Sequence, residues 1–181
     1  MTNFEYAVHR TLDSEGVFSD DKLDRGGVTK YGITETTLRR TMPDVPIESL
    51  TKEQAIEIYK LWYWEQPGWY KINDCSVAAV CFDAGVNHGT VVAGKFMQRA
   101  LNTLSKQGQK PLLVDGWVGD KTLERMNEML PNEADAIICA FNGERYAYYK
   151  AIVDADESQR RFIRGWMERL EVPLGDKICT S

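Results

Sequence analysis

The stretch Asp13–Ile33, DSEGVFSDDKLDRGGVTKYGI, decides how this chain is read. It is the densest run of glycines and carboxylates in the sequence, and it comes after a short amphipathic segment. Phe4, Ala7, Val8, Thr11 and Leu12 share one helical face, which predicts a helix over 3–12. Gly16 can take positive φ and end it. Glu15 is then expected at the helix C-terminus, where unpaired carbonyls present partial negative charge, beside apolar Val17 and Phe18. Both surroundings disfavour the ionised carboxylate and suit it to general-acid work near neutral pH. The residues by themselves thus propose Glu15 as the acid of a glycosidase.

With 181 residues and 43% apolar content, the chain can build one good core, or two small lobes sharing one. Its net charge is −5, the excess of acid lying in the first half, and this argues against nucleic acid as a partner. The N-terminus lacks a basic region followed by an apolar one, so no Sec-type leader is expected. The apolar run Val77–Phe82 is too short to span a bilayer. Cys75, Cys81, Cys139 and Cys179 show no CxxC pair and read as four thiols of a protein made in the cytoplasm. His9 and His88 are too few and too far apart for a zinc site. A calcium loop in the acidic stretch fails because Val17 occupies a ligand position and no glycine falls at the sixth. Neither a metal nor a cofactor is therefore expected, and the chain is taken as a monomer.

Helices account for most of the chain beyond Ile33. Thr34 is placed to cap a helix over Glu35–Thr41, and Thr51-Lys52-Glu53-Gln54 fits a capping box. Asn73 or Asp74 caps a helix whose Val77–Phe82 run is apolar on nearly all sides, the mark of a central, buried element. Thr90 opens another helix. Asp120 is read as the cap of a short one ending at Pro131, Asn132 as the cap of a longer one to Val153, and a last helix is expected from about Asp156 to Leu170. The β signals are a hairpin within Asp13–Ile33 and the short segment Leu112–Val114. The fold class is mostly α, in two lobes, with a small β-hairpin near the site and the break near Gly89–Thr90.

Glu15, Asp24 and Thr29 stand at a spacing that resembles the catalytic arrangement of phage-type lysozymes, with the last gap one residue shorter. The fuller resemblance is to glycoside hydrolase family 108, whose members carry Glu-Gly-Gly-Tyr followed by Asp-x-Gly-Gly-x-Thr-x-x-Gly-Ile. Here these segments read Glu15-Gly16-Val17-Phe18 and Asp24-Arg25-Gly26-Gly27-Val28-Thr29-Lys30-Tyr31-Gly32-Ile33. The second matches throughout; the first departs at Val17 and Phe18. Phe82-Asp83-Ala84-Gly85-Val86-Asn87-His88-Gly89 looks like the family's exit from its buried helix. Gln98-Arg99-Ala100-Leu101-Asn102 with Asp115-Gly116-Trp117-Val118-Gly119 is similar to the predicted peptidoglycan-binding domain that accompanies it.

The resemblance implies a lysozyme-like fold, a catalytic domain over 1–89 and a helical wall-binding domain over 90–181. It also implies a metal-independent cut between N-acetylmuramic acid and N-acetylglucosamine. Such a reaction needs an acid at the leaving oxygen and a second group at the opposite sugar face. Glu15 would be the acid, Asp24 its partner, and Thr29 the holder of the attacking water. Tyr31, Trp69, Asp83, Asn87 and Trp117 are the candidate substrate contacts, and peptidoglycan, glycan and peptide stem together, is the partner. Blander readings stand beside these. Asp24 can cap the Arg25-Gly26-Gly27 turn, Asp83 and Asn87 can serve a buried hydrogen bond, and Trp117 can anchor its own turn. Rival functions are a non-catalytic wall-binding adaptor and a lytic transglycosylase. Action at the wall requires release or translocation, in host lysis or in wall opening for toxin or protein secretion.

Overall fold

The computed structural model describes residues 1–14, 18–19 and 29–170. Glu15 and Asp24 lie outside them. Helix α1 (Asn3–Ser14) buries Ala7, Val8 and Thr11, the face that the helical spacing selects. Three two-residue strands come next: β1 (Phe18–Ser19), β2 (Thr29–Lys30) and β3 (Ile33–Thr34). They form an antiparallel sheet in the order β1-β2-β3, with Ser19 opposite Thr29 and Thr29 opposite Thr34. The expected hairpin is therefore present. The link from β2 to β3 is a two-residue turn in which Tyr31 (φ 53°) and Gly32 (φ 72°) both take positive φ. That backbone twist matches the twist of paired strands, which is why such turns serve tight hairpins.

Thr34 ends β3 and caps α2 (Glu35–Thr41), its hydroxyl accepting from the Thr37 N–H. The capping box at α3 (Lys52–Tyr59) is complete in both directions: Gln54 N–H reaches the Thr51 hydroxyl and Thr51 N–H reaches the Gln54 side chain. The helix then widens over Lys60–Glu65 into a π-helical turn, Gln66 N–H bonding the Leu61 carbonyl five residues back. Trp62 lies at the edge of the core, its indole N–H donating to the Thr41 hydroxyl and its ring covered by Arg40.

Helix α4 (Cys75–His88), capped by Asp74, is the axis of the molecule: every residue from Val77 to Gly85 is buried. Phe82 meets Phe4, Tyr59 and Trp64 edge-on at ring separations of 5.8–6.1 Å, tying α1 and α3 to it. Gly89 (φ 83°) closes α4 and opens α5 (Thr90–Thr103) within one residue, and one continuous core passes across that joint. Cys75 is disulfide-bonded, whereas Cys81 and Cys139 are free. The reading as four thiols is thereby corrected. Spacing along a chain does not reveal which cysteines the tertiary fold brings together.

Helix α6 spans Asp120–Ala155, longer than either helix expected there, but Glu133 leaves helical geometry (φ −125°, ψ 19°) and kinks it. Pro131 lacks the N–H for the helical ladder, so the break falls where the sequence places it. Gly119, rather than Asp120, is the cap residue. The expected strand at Leu112–Val114 is a loop. Its backbone finds a side chain in place of a neighbouring strand, since Asn102 both donates to the Leu112 carbonyl and accepts its N–H. The last helical segment begins as a tight 3₁₀ run, Glu157–Phe162, capped by Asp156, and ends as α7 (Ile163–Glu168). No helix among the described residues is long and apolar enough to cross a membrane.

Candidate active site

The hairpin end of the first half is the part of the expected site that the structure describes. Thr29 sits mid-sheet, half-buried, paired to Ser19 on one side and Thr34 on the other. Helix α1 reaches Ser14, one residue short of Glu15, and β1 begins three residues after it. The antiparallel pairing of Ser19 with Thr29 brings together the two ends of the segment that contains Asp24.

Tyr31 is a non-glycine residue with positive φ, a conformation that costs energy and persists only when its surroundings impose it. The imposition is visible. The hydroxyl of Tyr59, a fully buried residue, donates to the Tyr31 carbonyl at 2.6 Å, while the Tyr31 ring stays half-buried under the Lys30 ammonium. The sequence does not single out Tyr59 for this role, because nothing in helical spacing marks which core tyrosine carries a useful hydroxyl.

Asp83 and Asn87 are one turn apart on α4 and do meet: the Asn87 amide donates to the Asp83 carbonyl at 2.8 Å and to its carboxylate at 3.1 Å. The other carboxylate oxygen accepts from Arg145 on α6 at 2.6 Å, and the Arg169 guanidinium lies 3.8 Å from the oxygen that Asn87 binds. The Arg145 side chain is 1% exposed, that of Asp83 9%. A buried guanidinium cannot shed its proton, so it requires this carboxylate. Asp83 is thus committed to joining α4 to α6, the hydrogen-bonding role that stood as its blander reading. Arg145 escapes a sequence reading, its partner lying 62 positions away.

Asn87 borders a groove of about 720 Å³ with His88, Tyr148, Tyr149 and Trp166. Burial, reinforced by the charges of Arg145 and Arg169, holds the His88 pKa down at about 3. Its ring packs edge-on against Phe96 and Tyr148. Because the unfolded chain takes up a proton near the ordinary histidine pKa and the folded one does not, protonation favours unfolding. Stability is fully present above that ordinary value and is lost as pH falls toward 3. His88→Phe keeps the packing and removes the proton site. Urea midpoints measured from pH 7 to pH 4 are expected to show the variant gaining on the wild type as pH falls; parallel curves would refute this.

The two tryptophan candidates part company. Trp69 is 0% exposed: Gly68 (φ 82°) turns the chain into the 3₁₀ segment Trp69–Lys71, which tucks the indole into the core near Gly85. That corrects the expectation of Trp69 as a substrate contact, since a buried indole presents no face to a sugar. Trp117, by contrast, is 73% exposed at the edge of a groove of about 870 Å³.

Comparison with known proteins agrees with this architecture. The family model described as Glycosyl hydrolase 108 matches residues 8–89, and that described as Predicted Peptidoglycan domain matches residues 92–171. Among solved structures, the chain is similar to SagA of Brucella abortus, at 28% identity and a TM-score of 0.73, over 92% of this chain and 88% of that one. A comparison with curated proteins gives no match. The fold is the mostly helical, lysozyme-like one, and the chain is a glycoside hydrolase whose residues 8–89 match glycosyl hydrolase family 108 and whose residues 92–171 match a predicted peptidoglycan domain, which supports peptidoglycan as its substrate.

Proposed function

We propose that the chain is an N-acetylmuramidase, cutting the β-1,4 bond between N-acetylmuramic acid and N-acetylglucosamine. Glu15 protonates the leaving glycosidic oxygen. Asp24 faces the opposite side of the sugar, where it orients water or stabilises the developing positive charge, and Thr29 holds that water. Residues 1–89 form the catalytic domain and 90–181 the domain that holds the wall. The observation that carries the reading is the sheet register: Thr29 pairs with Ser19, so the two ends of the Asp24-bearing segment are held together, next to a turn held in a strained conformation by Tyr59. Strain of that kind collects at functional sites.

Digestion of purified sacculi tests the reaction. Muropeptides ending in reducing N-acetylmuramic acid are expected by mass spectrometry. Anhydro-muramic products would mean a transglycosylase, and binding without release of reducing ends would mean an adaptor. The enzyme reaches its substrate after release or translocation, either in host lysis or in opening the wall for secretion. The disulfide at Cys75 is in keeping with work outside a reducing cytosol.

A further inference from the structure

The indole of Trp117 stands in solvent, yet the loop beneath it is clamped by two side-chain amides, one buried and one half-buried. Gln98 on α5, 2% exposed, uses its amide in both senses. Its Nε2 donates to Asp115 Oδ1 at 2.8 Å and to the Trp117 carbonyl at 3.0 Å, and its Oε1 accepts the Gly116 N–H at 2.8 Å. Asp115 Oδ1 also accepts the Trp117 N–H at 2.8 Å. One helical turn on, Asn102 grips Leu112 in the same two-way fashion, at 2.7 and 2.9 Å.

Two glycines let the loop lie directly on the helix. A Cβ on Gly94 would stand 2.2 Å from the Gly116 carbonyl oxygen, and a Cβ on Gly116, which has φ +85°, would stand 2.4 Å from the Val91 carbonyl oxygen. Core packing does not explain this, because the ring so positioned is not in the core. Rigid presentation of an aromatic ring at the mouth of a concavity does have a use: the ordering cost is met in folding and need not be met again on binding.

The groove below the ring runs between this loop and the first turns of α6. Leu113, 77% exposed, adds a second apolar surface. Lys110 and Lys121 line it, neither with an ion-pair partner among the described residues, and Asp120 and Glu124 bring carboxylates to the same surface. The mixture of apolar faces with charges of both signs matches the polymer on which the family acts. A peptidoglycan strand offers the C–H faces of its sugar rings together with the carboxylates and ammonium of its peptide stems.

We infer that this groove is a wall-binding site that takes a glycan segment with its stem attached. Trp117 stacks on a sugar ring, Lys110 and Lys121 meet stem carboxylates, and Asp120 and Glu124 meet the stem ammonium. The inference rests on the wall-hydrolase reading but not on the identity of the catalytic residues.

The full-length chain and three variants, Trp117→Ala, Lys110→Glu with Lys121→Glu, and Tyr146→Ala, are compared in two separate assays. One is co-sedimentation with purified sacculi; the other is release of reducing ends. Tyr146 is an exposed aromatic of α6 outside the groove and serves as the control. Trp117→Ala is expected to weaken sedimentation about tenfold, the loss of one well-oriented aromatic contact. The lysine double variant weakens it most at low salt, and Tyr146→Ala sediments like the wild type. Wild-type sedimentation by Trp117→Ala, or an equal loss in Tyr146→Ala, overturns the inference. Absence of reducing ends with Trp117-dependent sedimentation intact would refute the hydrolase and leave the binding site standing.

Discussion

Glu15→Gln is expected to fold as the wild type does and to lose wall-lytic activity by about 10²–10⁴-fold, the usual contribution of a positioned general acid. Glutamine keeps the shape and hydrogen-bonding reach of the side chain but has no proton to give at the leaving oxygen. Without that proton the departing sugar must leave as an alkoxide. The substitution leaves untouched both the sheet register at Ser19 and Thr29 and the clamped loop at Trp117. Sedimentation with sacculi should therefore persist while reducing-end release disappears. Release within a few-fold of wild type would remove Glu15 from the mechanism.

Asp83→Leu is expected to be the most destabilising single change in the described core. It strands the Arg145 guanidinium in a site where its side chain is 1% exposed. Removing one partner of a buried pair costs about 3–5 kcal/mol, because the remaining charge has neither water nor counter-ion. At roughly 2–4 °C per kcal/mol for a chain of this size, that is a drop in Tm of about 10 °C. Arg145→Met should cost less. The Asp83 carboxylate it leaves behind can protonate, which arginine cannot do, and it retains Asn87 at 3.1 Å and Arg169 at 3.8 Å. The double replacement by Leu and Met should recover most of the loss, since neither charge is then buried. Thermal unfolding of the three variants decides the matter; additive losses would show that the pair does not act as a unit.

The helical frame was legible because its signals are local. Caps at Thr34, Thr51 and Asp74 are satisfied within three residues of themselves, and the all-round apolarity of 77–82 predicts a central helix whatever surrounds it. The hairpin was legible through the glycine-rich stretch around Gly26-Gly27, whereas the tight turn at Tyr31-Gly32 came from the structure. Where the sequence misleads, the deciding partner is distant or the backbone turns unexpectedly. Leu112 looks like a strand until Asn102 takes its N–H and carbonyl, and Trp69 looks like a loop tryptophan until Gly68 turns it inward. Cys75 looks like a thiol because nothing in its spacing names a partner.

By itself, then, the sequence pointed to the family it resembles, the helix order, and which carboxylates to propose for the chemistry. These rest on residue types at short spacings, which side-chain geometry and capping read directly. Only the tertiary structure decided what Asp83 is for, which tryptophan meets solvent, and why Gln98 and Asn102 lie four residues apart. A charge acquires its role from the counter-charge the fold sets against it. A side-chain amide acquires its role from the backbone that comes within reach, and neither is written in the neighbouring residues.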